Sequence, residues 1–140
     1  MSAADCRACG GDWPPAEAFI ADCGPAKAYL HADQFFPGWT LLVLGRHATE
    51  LWELERAERH ALIDAVADLA RALADAYDAG KMNYELLGNE LPHIHWHLVP
   101  RRADDPAPRR PVWTHTHEPR VLSPGDQRAR IDAIRARLKR

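Results

Sequence analysis

Three histidines, His93, His95 and His97, alternate with Ile94, Trp96 and Leu98 in a run that closes at Pro100. In a β-strand alternate side chains share a face, so the three imidazoles point one way and the apolar residues the other. Imidazoles at this spacing can ligate a metal, or supply a nucleophile and its proton partner, or stand as polar groups on a solvated face. Attack on phosphorus is sound chemistry for the second case: a neutral imidazole forms a labile phosphoramidate, and a second imidazole assists the leaving oxygen. A separate signal is Cys6-Arg7-Ala8-Cys9, a C-x-x-C pair in a glycine- and proline-dense segment. Two thiolates so spaced grip one zinc ion, and tetrahedral coordination then calls for two further ligands. No helix pattern follows the pair as a thioredoxin-like redox site would require.

Several elements must position these residues. Residues 3–25 read as loop, being rich in Gly, Pro and Cys. Lys27–Ala32 reads as a short strand, Pro37-Gly38 as a turn, and the apolar, β-rich stretch Trp39–Leu44 as a buried strand ending at Gly45. Leu62, Val66, Leu69, Leu73 and Tyr77 recur at helical spacing within residues 55–79, with Gly80 as the expected stop. Met82–Leu87 and His93–Val99 read as two further strands. The proline-rich stretch 101–119 reads as an irregular surface segment anchored at Val112-Trp113, with His115 and His117, like His31 and His60, on the surface. Ser123-Pro124 is a helix-start signal, and Ile131, Ile134 and Leu138 give the final helix a narrow apolar stripe. Strands, one long helix, more strands and a terminal helix predict an α+β domain with a mostly antiparallel sheet. Residues 1–119 are expected to form the catalytic domain with its N-terminal metal loop, and 120–140 a basic helix packed on it.

Composition narrows the function. The chain has 140 residues, 46% hydrophobic and 27% charged, with a formal net charge of −2, which argues against a nucleic-acid partner held by bulk electrostatics. From Arg120 to Arg140 there are seven basic residues against two aspartates, a bias read as a solvated helix face. Asp5, Arg7, Asp12 and Glu17 interrupt the first twenty residues, unlike a secretory signal. No apolar run approaches the ~20 residues of a membrane span. A cytoplasmic protein is expected, and its three cysteines, Cys6, Cys9 and Cys23, read as thiols or metal ligands rather than disulfides.

The histidine run and its flanks, Asn83–Asn89, Glu90-Leu91-Pro92 and Arg101, resemble the histidine triad family, as does the segment Pro37–His47 with its terminal Arg46-His47 pair. The likeness covers about Cys6 to Trp113 and is nearest to bacterial members described as diadenosine polyphosphate hydrolase-like. It implies a homodimeric nucleotide hydrolase acting at the α-phosphate, with an adenine nucleotide as substrate. His95 would be the nucleophile, and His97 would contact the phosphate and the departing oxygen. Asn89 and Asn83 would be polar contacts of the nucleotide. Bacterial members similar in the C-x-x-C pair bind structural zinc, which implies Cys6, Cys9, His47 and His93 as ligands here. The chain departs from the family pattern at Trp39, where many members carry histidine, and Asp33 does not match the spacing of the family's ribose-binding acid. A nucleotidyl transferase, a nucleotide-binding protein with little catalysis, and a metalloenzyme using all three triad histidines as ligands are the competing readings.

Overall fold

The computed structural model describes residues 2–139. Its centre is one five-stranded antiparallel sheet: β1 (Phe19–Cys23), β2 (Ala26–Leu30), β3 (Thr40–Leu44), β4 (Lys81–Glu85) and β5 (His95–Arg101), in the order β1-β2-β3-β5-β4. Two helices, α1 (Arg56–Tyr77) and α2 (Pro124–Leu138), complete the α+β architecture. The stripe expected on α1 is buried: Leu62, Val66, Leu69 and Leu73 pack with Leu42, Leu44 and Leu98 of the sheet and Ile131 and Ile134 of α2. Each such fully covered side chain contributes roughly 1.5–3 kcal/mol relative to exposure. Ser123 caps α2, its hydroxyl accepting from Asp126 N at 3.2 Å.

Two readings change. Residues 19–23, placed in a loop by composition, form β1, pairing with β2 from Phe19↔Tyr29 to Cys23↔Ala26. Only Ile20 of this strand is fully buried, so it carries little of the alternation that betrays a strand. The helix stop is Asp78, in the left-handed conformation at φ 50°, rather than Gly80; aspartate is among the few side chains that tolerate that region.

The two faces of the sheet do different work. Leu98 and Trp96 of β5 look toward the helices, while His95 and His97 share the opposite face. Their cross-strand partners on β3 are Val43 and Leu41. Beyond Leu98, β5 pairs with β4 alone, as far as Arg101↔Lys81. Pro100 therefore sits inside the strand without breaking a ladder on the β3 side. The turn before β3 is tight at Gly38, where φ is +91° and a Cβ would lie 2.7 Å from the Tyr77 ring. Only glycine meets both conditions.

Candidate active site and metal-ligand cluster

His93, His95 and His97 are 3%, 6% and 7% exposed, so none is a chance surface histidine. Each ring is oriented by a different partner, and the partners fix the protons. His95 Nδ1 lies 2.7 Å from the carbonyl oxygen of His93. A carbonyl only accepts, so Nδ1 carries the hydrogen and Nε2, on the far side of the ring, keeps its lone pair. His93 Nε2 lies 2.8 Å from the carbonyl oxygen of Leu44 and so donates, leaving Nδ1 as a bare ligand atom. That nitrogen is 3.4 Å from Cys6 Sγ and 3.6 Å from Cys9 Sγ. His97 is fixed in the opposite sense: Trp39 Nε1 donates to its Nδ1 at 3.0 Å, which leaves the hydrogen on Nε2.

His95 and His97 line a cavity of about 610 Å³, the size class of small-molecule sites. Asn89 is on its wall, with Gly88 and Leu91 of the loop preceding the histidines. Asn83 is not among the lining residues; its Oδ1 accepts from Arg101 Nη1 at 2.6 Å. Arg101, 4% exposed, also forms a buried ion pair with Asp105 at 2.6 Å and donates to the carbonyls of Ala107 and Arg110. It thereby pins the strap that follows β5.

Five wall residues come from unexpected places. Asp5, Arg7 and Trp13 belong to the N-terminal loop, and Trp13 meets the His95 ring edge-on at 5.2 Å. His31, expected on the surface, lines the cavity and stacks on Trp39 at 4.0 Å with 4° between planes. Trp113 closes the other side, edge-on to His97 at 5.0 Å. Gln34, 1% exposed, holds the turn between His31 and Trp39 by donating to both of their carbonyls, at 2.9 and 2.8 Å. His117 is also drawn in, stacked on Phe35 and bonded to Asp33 at 2.8 Å. Asp33 is thus engaged with the strap at His117 and Arg120 N, and does not line the cavity.

Burial, then the neighbouring imidazoles of His95 and His31, pushes His97 down to about 3. His31 is also lowered, by burial, against the opposing pull of Asp33. For His117 burial opposes charge, but the bonds to Asp33 and to the His115 carbonyl outweigh it and raise its pKa. His31 and His97, the cavity histidines held low, are therefore neutral near pH 7.

Beside the cavity, Cys6, Cys9, His47 and His93 form a group that could hold a metal ion, with ligand atoms all within 4.8 Å of one another. A zinc ion bonded to sulfur at ~2.3 Å and nitrogen at ~2.0–2.1 Å in a tetrahedron puts those atoms about 3.6 Å apart. The separations here are 3.4–3.6 Å. Cys23 is elsewhere, on a larger hollow of about 780 Å³ walled by β1, α1 and α2. No histidine lines that hollow, and burial, then Asp22 and Asp68, keeps the thiol protonated.

A model of the HIT domain matches residues 16–104, which contain all three histidines of the run. The chain belongs to the HIT domain family. It is similar to a histidine triad protein from Bradyrhizobium japonicum, at 30% identity and TM-score 0.78, over 87% of this chain and 92% of that one. A histidine triad protein from Sinorhizobium meliloti aligns at 28% identity and TM-score 0.76, over 83% and 85%. The diadenosine triphosphate hydrolase of Plasmodium falciparum shares the fold at 12% identity and TM-score 0.64, over 86% and 76%. No curated protein matches the sequence significantly. HIT proteins are in general nucleotide hydrolases or transferases, and no helix among the described residues is long and apolar enough to cross a membrane.

Proposed function

We propose that this HIT protein hydrolyses nucleotides at the α-phosphate, with dinucleoside polyphosphates as the substrate class and His95 as the nucleophile. The observation that carries the reading is the bond from His95 Nδ1–H to the His93 carbonyl, which leaves Nε2 unprotonated on a ring at the cavity wall. That lone pair forms a bond to the α-phosphorus as the bond to the bridging oxygen breaks, and the electron pair leaves with the polyphosphate. His97 donates its Nε2–H to the departing or a non-bridging oxygen. Water then attacks phosphorus and the P–N bond breaks. Nucleoside monophosphate departs, one proton goes to solvent, and His95 regains its lone pair.

Other wall residues take supporting parts. Asn89 donates its amide to a phosphate oxygen without adding charge. Asn83, whose carbonyl oxygen is engaged by Arg101, supports the strap instead. Arg7 is the permanent cation among the described lining residues and complements a polyphosphate. Trp13 and Trp113 flank the two histidines as apolar walls for a base.

Cys6, Cys9, His47 and His93 are the ligand set for a structural zinc. The S–N separations and the bare Nδ1 of His93 support this, as does the softness of a two-thiol, two-imidazole set. The metal would fasten the N-terminal loop to the sheet; four protein ligands leave it no open position for substrate. The free edge of β4, with Tyr84 exposed, offers a surface for the homodimer that the family likeness implies.

The test is a nucleotidyl-protein adduct trapped from a dinucleoside polyphosphate. Wild-type protein should form it and release nucleoside monophosphate; His95→Ala should do neither. Undiminished turnover by His95→Ala sinks the mechanism.

A further inference from the structure

The unusual partner of His97 has a consequence for which bonds the site can cleave. An indole N–H donates and cannot accept. With Trp39 Nε1 at 3.0 Å from His97 Nδ1, that nitrogen is committed as an acceptor, and a second ring proton there would face the indole hydrogen head-on. The arrangement has little freedom to relax. Trp39 is 3% exposed and stacked between His31, 4.0 Å away, and the edge of Trp113 at 5.2 Å, with its carbonyl held by Gln34. Among the described residues, the rings that meet His97 are imidazoles and indoles, those of His31, Trp39, His95 and Trp113. His117 is the internal contrast: both of its nitrogens donate, one to Asp33, which is how this chain supports an imidazolium.

We propose that Trp39 is a positioning residue that holds His97 as a neutral Nε2–H donor, and thereby restricts the enzyme to substrates whose leaving group departs as an oxyanion. The inference rests on the proposed attack by His95. A neutral imidazole can give a hydrogen bond, but it cannot give its one proton away without becoming an imidazolate. Polyphosphate and carboxylate leaving groups need only the hydrogen bond, because the electron pair of the broken P–O bond stays on oxygen. An amine leaving group is different: when the P–N bond breaks, nitrogen must gain a proton, and His97 has none to spare. Nucleoside phosphoramidates therefore lose the general-acid contribution, typically 10²–10⁴-fold.

The experiment compares diadenosine triphosphate with an N-alkyl adenosine phosphoramidate, using zinc-loaded wild type and Trp39→His. Wild type should favour the anhydride by about a hundredfold or more in kcat/KM. Trp39→His puts an acceptor nitrogen opposite Nδ1 in place of the indole donor and should narrow the preference by about tenfold, ~1.4 kcal/mol, in kcat rather than KM. A preference unchanged in the variant, with the His95 adduct still forming, overturns the inference and leaves the hydrolase reading intact. Absence of the adduct in wild type overturns the hydrolase reading itself. Nitrogen-15 NMR of the wild type is a second measurement that does not depend on the variant folding. His97 should show a bare Nδ1 and a protonated Nε2 between pH 6 and 8; an Nδ1–H tautomer or an imidazolium there refutes the lock.

Discussion

Removing the metal should cost both stability and substrate affinity, because one loop serves both sites. Of residues 2–15 only Cys6 and Pro14 are buried, so the loop has almost no core of its own. Its attachment runs through Cys6 and Cys9 to His93 and His47. A metal that binds the folded chain alone, present at about 1,000 times its dissociation constant, stabilises by ~4.1 kcal/mol. For 140 residues, at ~2.1 cal/mol/K each, the unfolding entropy is about 0.3 kcal/mol/K, so chelation should lower Tm by roughly 14 °C. The same loop brings Arg7 and Trp13 to the cavity. Losing one charge-assisted contact of ~1.5–3 kcal/mol should raise KM at least about tenfold below the melting transition. Differential scanning fluorimetry with zinc and with a chelator reads the first effect, and steady-state kinetics the second. Trypsin should cut after Arg7 only in the stripped protein. A Tm within ~2 °C of the loaded value, or stoichiometric zinc retained by Cys9→Ser, would refute the ligand assignment.

Arg101→Met should destabilise by about 3–5 kcal/mol, since it strands the buried Asp105 carboxylate and frees the carbonyls of Ala107 and Arg110. Chemical denaturation measures the loss; one below ~1 kcal/mol contradicts the strap assignment. Acid stability tests the state of His97. Its folded pKa is lowered to about 3, so below an unfolded value of ~6.5 the unfolded chain binds the extra proton. Its contribution to stability is therefore complete above pH ~6.5 and shrinks as pH falls toward 3, by up to ~1.4 kcal/mol per pH unit. His97→Gln should flatten the stability profile by that slope between pH 6 and 4. An unchanged slope rules out a buried neutral His97.

What was legible in the sequence depended on whether the signal was periodic. The stripe of α1 and the alternation of β5 repeat every three to four and every two residues, so the buried faces and the triad could be read directly. The ligand set of Cys6, Cys9, His47 and His93 was reached through family likeness, and the fold brings those four together. β1 was missed because five residues with one fully buried side chain have no period to detect. Asp5, Arg7, Trp13, His31 and Trp113 were missed as wall residues because they come from three separate loops, each aperiodic. Trp39 lay between these cases. It stands two residues before Leu41, the β3 partner of His97, and so shares the histidine's face. That inference required the pairing of β3 with β5, which local sequence does not encode.

The basic C-terminal helix takes on a meaning that charge counting obscured. Arg135 donates to the carbonyls of Phe19 and Ile20, tying α2 to the strand the sequence concealed. Arg130 Nη1 donates to Gln34 Oε1 at 3.2 Å, the same oxygen that accepts from Gly38 N. Gln34 Nε2 in turn holds the carbonyls of His31 and Trp39. A path of hydrogen bonds thus runs from α2 through one buried amide to the backbone carbonyl of Trp39, the residue whose indole fixes the tautomer of His97. A charge bias that reads as a solvated helix face is, at these two arginines, directed inward at backbone and amide oxygens. Buried polar networks of this kind are stable only when every member is satisfied. The demand on Arg130 is therefore geometric as well as electrostatic: lysine in its place would keep the charge, but its shorter, single-headed ammonium would have to reach the same oxygen.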